Sequence, residues 1–360
     1  MQINRRNFIA APLALGASSL VSKYASAQGK LEDTLIIRTA GGEEEKLMIE
    51  YFFKPFSKET GVNVIPVSSS YGEMVTKVKA MFAAKRIEWD IVLHQQSDIV
   101  LPANQDIIVD LGKKCEALPN VASQNIPGAC LQYGVPYNYA ALVLTYNTKH
   151  FGANLPKTYA DFWDVQKFPG ARGMNNDGSP WRNIMGALLA DGVKPSELFP
   201  LDVDRAFRKL NQIKPHVSVW WKVGGQGVEA FKSETVVFSP LYTGQSFFLK
   251  RAGLPIDYTW NEGLMNRSGY SILKGAPHPR AAAAFLNFWL SRSDEHGEFM
   301  KKAGFLTGYA KEVTPKLSPE EVHALGASAA IQDSLVKYDW DWLEPKKASL
   351  INDWNRWLAS

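Results

Sequence analysis

The chain has 360 residues, of which 46% are hydrophobic, and its formal net charge is +4 at pH 7. Arg5, Arg6 and Lys23 supply three of these charges, so residues 28–360 carry a formal charge of +1. A near-neutral body argues against nucleic-acid binding, which requires a concentrated basic surface. The length exceeds one comfortable hydrophobic core, and we therefore expect two lobes.

The N-terminus has the pattern of an export signal. Arg5 and Arg6 precede an apolar run over residues 10–20, and Ala25-Ser26-Ala27 supplies the small residues that signal peptidase requires. The paired arginines resemble a twin-arginine signal, which exports folded proteins. The apolar run is shorter than the ~20 residues of a membrane-spanning helix, which favours a cleaved signal over an anchor. We expect cleavage after Ala27 and a periplasmic protein.

Strands and helices alternate along the first part of the mature chain. The β-branched runs at 34–39, 63–67 and 89–93 are predicted strands, and helical patterns occupy 47–56 and 71–85. This alternation is typical of a parallel sheet with helices on both faces.

A segment at 133–147 is predicted to cross from the first lobe into the second, where the alternation resumes. The predicted elements after it are helix 181–190, strand 217–220, a helix after Gly227, strands 236–239, 255–260 and 271–273, helix 281–290, and helices within 334–357.

The chain has two cysteines, Cys115 and Cys130, fifteen positions apart. In an oxidising compartment this pair could close a loop and stabilise the fold by about 3 kcal/mol. Two free buried thiols are the alternative, and we favour the disulfide. Neither cysteine has the spacing of a metal site, and we expect no metal and no cofactor.

Five sequence blocks extend in order over nearly the whole mature chain. They are FSKETG at 56–61, WDIV at 89–92, YGVPY at 133–137, AGLPID at 252–257 and GAPHP at 275–279. In this order they resemble the periplasmic solute-binding proteins of ABC importers, in the branch that includes the spermidine- and putrescine-binding proteins.

The resemblance implies a two-lobe α/β fold of the type II periplasmic binding proteins. Each lobe is then a mostly parallel sheet flanked by helices, and crossing hinge strands join the two lobes. The lobes would close around a small-molecule ligand and dock onto an inner-membrane ABC permease. The implied lobes are residues 28–136 with 267–312, and 137–266 with 313–360. We expect a monomer.

The resemblance also bears on the ligand, because polyamine-binding members hold amines with carboxylates and aromatic faces. A gap-free reading places Ser179 and Arg182 at the family's acidic pair, and Arg267-Ser268-Gly269 at its aromatic-x-Asp. Two arginines thus replace carboxylates, and guanidinium groups bind carboxylates bidentately. We predict a small organic anion, a mono- or dicarboxylate.

The alternative for the two arginines is that each pairs with a carboxylate of the protein itself. Asp177 and Glu262 are the nearest such partners in sequence to Arg182 and Arg267.

The other candidate contacts are strand-end residues or aromatic positions carried over from the family, because ligands of open α/β sheets gather at the carboxyl ends of strands. A simple turn is the alternative for the glycine pair at 41–42, and core packing is the alternative for Trp181. The complete predicted ligand-binding set is Gly41, Gly42, Ser69, Ser70, Tyr71, Gln95, Gln96, Tyr139, Trp181, Arg182, Trp221, Tyr242, Arg267 and Ser268.

Three other functions were weighed against an organic-anion importer. A periplasmic enzyme is disfavoured because the sequence has no nucleophile-elbow or zinc-protease motif, and the glycines at 225–230 have no acidic residue about 20 positions on. An iron-binding protein would need neighbouring tyrosines, and no Tyr-Tyr pair occurs. An unchanged polyamine importer is the third alternative.

Overall fold

A computed structural model describes residues 30–95, 106–120, 129–309 and 313–360. The predicted signal peptide with its cleavage site after Ala27, and the candidate residue Gln96, lie outside the described residues. The described chain forms an eight-stranded sheet in the order β2-β1-β3-β8-β4-β7-β5-β6.

The first three strands form one end of the sheet. They are β1 (Thr34–Thr39), β2 (Asn63–Ser68) and β3 (Ile91–Gln95), and β1 pairs in parallel with both of the others. The buried carboxylate of Asp90 connects β1 to the residues just before β3 and to His278. Asp90 Oδ2 accepts a hydrogen bond from the Ile36 backbone N–H at 2.7 Å, and its Oδ1 accepts one from the His278 N–H at 2.7 Å. The strand ends that follow are therefore held in register.

Two long strands run through the centre of the sheet and belong to both lobes. They are β4 (Val135–Asn147) and β8 (Ile256–Ile272), and they pair antiparallel to each other over most of their length. The sequence predicted β4 closely but divided β8 into two strands. In the structure β8 is continuous, because β4 pairs with it on both sides of residues 260–263 and β3 pairs with its last five residues, 268–272.

The remaining strands form the other end of the sheet. They are β5 (Arg172–Asn175), β6 (Val217–Trp221) and β7 (Phe238–Tyr242), with β5 parallel to both β6 and β7. This end matches the first in construction, with parallel strands whose carboxyl ends face the middle of the molecule.

Helices cover both faces of the sheet, and a π-helical turn at Ile49–Phe53 joins the first two. The predicted helix at 181–190 is observed with those bounds. The helices are α1 (Gly42–Met48), α2 (Lys54–Thr60), α3 (Tyr71–Ala83), α4 (Thr148–Phe151), α5 (Tyr159–Trp163), α6 (Trp181–Ala190), α7 (Val203–Ile213), α8 (Gly224–Lys232), α9 (Thr243–Arg251), α10 (Pro279–Trp289), α11 (Ser293–Ala303), α12 (Pro319–Ala324), α13 (Ala329–Ser334), α14 (Trp340–Leu343) and α15 (Lys347–Ala359).

Two hydrophobic cores divide the fold into lobes. Along β4 the side chains pass from the first core to the second between Ala140 and Leu142. Along β8 they pass back between Leu264 and Tyr270.

After residue 312 the chain packs against the first core before it reaches the second. Val313 and Leu325 pack in the first core, and the chain rejoins the second core only at Val336. The segment at 313–327 therefore belongs with the first lobe, since its apolar side chains are buried there.

Cys115 and Cys130 form a disulfide with an S–S distance of 2.07 Å. It closes a loop on the first lobe, whose core includes Cys115. Among the described residues, no helix is both long enough and apolar enough to cross a membrane.

Candidate functional site

A cleft of about 300 Å³ lies where the carboxyl ends of the strands of the two lobes meet. The first lobe contributes the ends of β1 and β3 and the turns that follow β1 and β2. The second lobe contributes the ends of β6 and β7, residues that follow β5, and the helix starts after these strands. The cleft is lined by both acidic and basic side chains. The predicted residues on its walls are Gly41, Gly42, Ser69, Ser70, Tyr71, Gln95, Arg182, Trp221, Tyr242 and Ser268.

The strand-end turns account for most of the first-lobe wall. Gly41 and Gly42 have φ values of 77° and 68°, which permit the abrupt turn from β1 into α1. Both glycines therefore form a turn, as the alternative reading of the sequence expected, and both also line the cleft. Ser70 caps α3, where its Oγ accepts from the Glu73 N–H at 3.2 Å and its own N–H donates to Glu73 Oε2 at 2.7 Å.

Arg182 lies on the second-lobe wall, but its charge is neutralised by the protein. Its Nη1 donates to Asp177 Oδ2 at 3.0 Å and also to Tyr242 Oη, and its Nη2 donates to Asn266 Oδ1 at 3.0 Å. Burial alone would lower the pKa of Arg182, but Tyr242 and Asp177 outweigh this effect and raise it. The alternative that paired Arg182 with Asp177 is the arrangement observed.

Arg267 and Tyr139 do not line the cleft. They are direct partners across β8 and β4, and the Arg267 guanidinium carbon lies 5.0 Å from the centre of the Tyr139 ring. The other proposed partner, Glu262, accepts a hydrogen bond from the Tyr159 backbone N–H at 2.6 Å instead. The predicted strands at 255–260 and 271–273 left Arg267 between them. In the structure it lies on β8 and points away from the cleft, which Asn266 and Ser268 line, because neighbours on a strand face opposite sides.

The two tryptophans singled out by the sequence have different surroundings. Trp181 is fully buried in the second core and does not line the cleft, so core packing describes it. Trp221 is on the cleft wall, with its Nε1 donating to Ser239 Oγ at 3.3 Å. Its neighbour Trp220 packs outward against Trp354, at 5.7 Å between ring centres.

The sequence did not single out Arg38, which lines the first-lobe wall at the end of β1. Its side chain is only 4% exposed. Nε donates to Ser69 Oγ at 3.0 Å, Nη1 donates to the Leu93 carbonyl at 3.1 Å, and Nη2 donates to the Ser69 carbonyl. The sequence did contain a signal for Arg38, because it is a charged residue within an apolar predicted strand that ends shortly before Gly41.

Arg38 differs from Arg182 because no carboxylate lies within ion-pair distance of it among the described residues. Burial lowers the pKa of Arg38 from 12.5 to about 10, so the group stays charged at neutral pH. The three bonds to Ser69 and Leu93 use three of the five N–H donors of a guanidinium. Arg38 therefore presents a buried positive charge with donors to spare.

Glu44 is a second residue of this wall that the sequence did not single out. Its Oε1 accepts a hydrogen bond from the buried Tyr137 hydroxyl at 2.6 Å. Burial raises the pKa of Glu44, although the Tyr137 bond and the nearby Arg38 charge oppose the rise. The first-lobe wall thus holds a cationic and an anionic group close to each other.

Metal binding has no support in the described part of the chain. It contains no group of three or more His, Cys, Asp or Glu side chains placed to hold a metal ion.

Comparison with known proteins identifies the family. The model of the family described as bacterial extracellular solute-binding protein matches residues 52–327. The gamma-aminobutyric acid-binding protein of Pseudomonas aeruginosa is 29% identical over 270 residues, which are 74% of each chain.

Solved structures agree over almost the full length. The PBP AttC of Agrobacterium tumefaciens C58, solved in an open unliganded conformation, is 31% identical, with a TM-score of 0.62 over 91% of this chain and 100% of that one. An ABC transporter protein from Rhodopseudomonas palustris is 26% identical, with a TM-score of 0.80 over 90% and 99%. The chain thus belongs to the bacterial extracellular solute-binding protein family and is the substrate-binding component of an ABC transporter for a small solute.

Proposed function

We propose that the cleft captures a small organic solute that carries a carboxylate, and that Arg38 holds this group. The observation that carries the proposal is the buried Arg38 guanidinium, which faces the cleft without an ion-paired carboxylate among the described residues. A carboxylate placed against its remaining N–H donors would satisfy both its charge and its hydrogen-bonding capacity. At 4 Å and an effective dielectric constant of 20 such a contact is worth about 4 kcal/mol.

The proposed anion site rests on Arg38, and not on Arg182 or Arg267. Arg182 cannot supply the net charge, because Asp177 already neutralises it, and Arg267 lies outside the cleft.

The solute that we favour also carries an amino group. Glu44 lies on the same wall as Arg38 and offers a carboxylate to a cation. Gamma-aminobutyric acid, named for the Pseudomonas aeruginosa relative, carries one carboxylate and one amino group. An amino acid of this kind would place its two ends against the two opposite charges.

A polyamine is the second candidate, favoured by the carboxylates of Glu43, Glu44 and Glu229 on the cleft walls. It is the weaker candidate because it would place further cations close to the Arg38 guanidinium and leave the remaining N–H donors of Arg38 without an acceptor.

We further propose that the protein reaches the periplasm through a twin-arginine signal cleaved after Ala27. It would bind its solute there as a monomer, without turnover, and release it to an inner-membrane permease. The family's extracellular location and the paired Arg5 and Arg6 support this part of the proposal.

Calorimetric titration of the purified mature protein tests the ligand class. The panel is γ-aminobutyrate, its neutral-ended amide, succinate, putrescine and spermidine. We expect γ-aminobutyrate to bind and its amide to bind at least tenfold more weakly, because the amide lacks the anionic end. Binding of putrescine or spermidine alone would refute the proposal. Mass spectrometry of the recovered solute checks that it is unchanged.

Substitution of Arg38 tests the assigned residue. Arg38→Gln should weaken γ-aminobutyrate binding by about tenfold to a hundredfold, since charge-assisted hydrogen bonds are lost. Arg172→Gln is the matched control, because Arg172 is also buried and bonded to three carbonyl oxygens, but lies outside the cleft. Equal affinity of a folded Arg38→Gln variant and the wild type would overturn the assignment.

A further inference from the structure

Contacts between the lobes close the mouth of the cleft at one place. The Gly72 backbone N–H, at the start of α3 in the first lobe, donates to the Asp177 carbonyl in the second lobe at 3.3 Å. The Gln95 amide at the end of β3 donates to Ser179 Oγ at 3.2 Å. We infer that Tyr71, Gly72 and Gln95, together with residues 177–179 and Trp181, form a latch that holds the lobes closed and sets how long a captured solute stays.

The backbone approach in this latch depends on glycine. Gly178 has a φ of 93°, and a Cβ on it would lie 2.9 Å from Gly72 Cα and 3.1 Å from Gly72 N. Real Cβ atoms essentially never approach another atom to 2.9 Å. The main chains of the two lobes can therefore meet at this point only because Gly178 lacks a side chain.

The side chains around the glycines extend the contact. The Tyr71 ring meets the Trp181 ring edge-on, with 6.5 Å between the centres. Tyr71 begins α3 of the first lobe, whereas Trp181 begins α6 and is anchored in the second core. Trp181, which the sequence predicted to contact the ligand, thus contacts the first lobe through Tyr71.

Gln95 connects the latch to the cleft. Its side chain lines the cleft, whereas its partner Ser179 is 1% exposed and does not. The bond between them forms only when the lobes are close together. Removing the Ser179 hydroxyl therefore removes a latch bond and leaves the cleft wall intact.

The steric test uses Gly72, which has an ordinary helical backbone and tolerates a side chain locally. A Cβ there would meet Gly178 Cα at 3.5 Å and the Asp177 carbonyl oxygen at 3.6 Å, both ordinary contacts. Gly72→Ala should therefore close like the wild type. The extra methyl groups of Gly72→Val have no room between the lobes and should hold them apart.

Small-angle X-ray scattering and stopped-flow dissociation measure the effect, with γ-aminobutyrate as the probe. We expect Gly72→Val to have a larger radius of gyration than the wild type and Gly72→Ala, with and without the probe, and to release the probe at least tenfold faster. Ser179→Ala should release it roughly fivefold faster, as expected for one hydrogen bond. Melting temperatures without the probe should match among the wild type, Gly72→Ala and Gly72→Val.

The result that overturns the latch is a Gly72→Val variant with the radius of gyration of the wild type in both states. The inference rests on solute capture by the family and not on the carboxylate proposal. If the probe does not bind to the wild type, the carboxylate proposal fails. The ligand-free radii then decide the latch alone: a larger radius for Gly72→Val supports it, and equal radii refute it.

Discussion

Arg38 and Arg182 lie on opposite walls of one cleft and differ in what surrounds their charges. Arg182 is bonded to Asp177, Tyr242 and Asn266, so its role is to hold the residues of the second-lobe wall together. Arg38 is bonded only to neutral oxygens, so its charge is available to a ligand. The neighbours of each arginine thus decide whether its charge is available to a ligand.

Removal of the Asp177 carboxylate from its ion pair with Arg182 should lower the stability of the fold. Asp177→Asn leaves the buried Arg182 charge without its counter-charge, and we expect the free energy of unfolding to fall by about 3–5 kcal/mol. Asp257→Asn is the control, because its 2.9 Å bridge to Lys250 is largely exposed and should contribute at most about 1 kcal/mol. Urea unfolding followed by circular dichroism measures both. Similar losses for the two variants would contradict this account.

Positions on the cleft are easiest to predict where the sequence locates a strand end. Ser69, Ser70 and Gln95 follow apolar runs with clear limits, and all three line the cleft. Tyr139 and Arg267 do not line it, and the sequence could not show this, because a shift of one position along a strand reverses the face of a side chain. Arg38 was missed because its apolar neighbours in β1 suggested only a buried strand.

At the scale of elements, the capped helices and short parallel strands were predictable. The Ser70–Glu73 box starts α3, and the apolar run from Trp181 defines α6. The continuity of β8 was not predictable, because polar residues in its middle break the apolar pattern. Those residues are in a strand because β4 pairs with β8 on both sides of them. Tertiary pairing outweighs local composition in this element.

The disulfide should contribute to the stability of the first lobe. Replacement of Cys115 and Cys130 together by serine should lower the free energy of unfolding by about 3 kcal/mol, since the unfolded chain then loses the closed loop. Dithiothreitol should destabilise the wild type by a similar amount in urea unfolding. The same reagent should not change the double-serine variant, which is the control. A wild type that is insensitive to the reductant, although its thiols are shown to be free, would refute this expectation.

At the scale of the whole molecule, two lobes are predictable because the length and the repeated β/α alternation require two cores. The core that residues 313–327 join is not predictable, because these residues carry no pattern that distinguishes one lobe from the other. Their burial against the first core depends on contacts that are distant in sequence, such as those of Leu325.

Resistance of the whole fold to acid depends on a buried histidine. His296 has no exposed surface, and its ring nitrogens lie 2.9 Å from Thr307 Oγ1 and 2.8 Å from the Trp289 carbonyl oxygen. Burial lowers the pKa of His296 from 6.5 to about 3. Below pH 6.5 the unfolded chain takes up a proton that the folded chain excludes, so stability falls as the pH falls.

We expect this group to remove about 2 kcal/mol of stability between pH 7.5 and pH 5. His296→Gln cannot take up the proton, so its free energy of unfolding should fall less steeply over the same range, whatever its stability at pH 7.5. Urea titrations at several pH values give both slopes. Equal slopes for the variant and the wild type would contradict the assignment.

Because Arg38 and Arg182 differ in their ion pairing, we expect the two lobes to contact the solute one after the other. An uncompensated charge attracts its counter-ion over a distance of several ångströms, whereas hydrogen bonds act only on contact. On the proposal above, the first lobe, with Arg38, receives the solute while the mouth is still open. The second lobe, whose Arg182 and Asp177 cancel each other, contributes only after the lobes have met. Arrival and retention are then governed by different halves of the molecule, so the two rates can change independently.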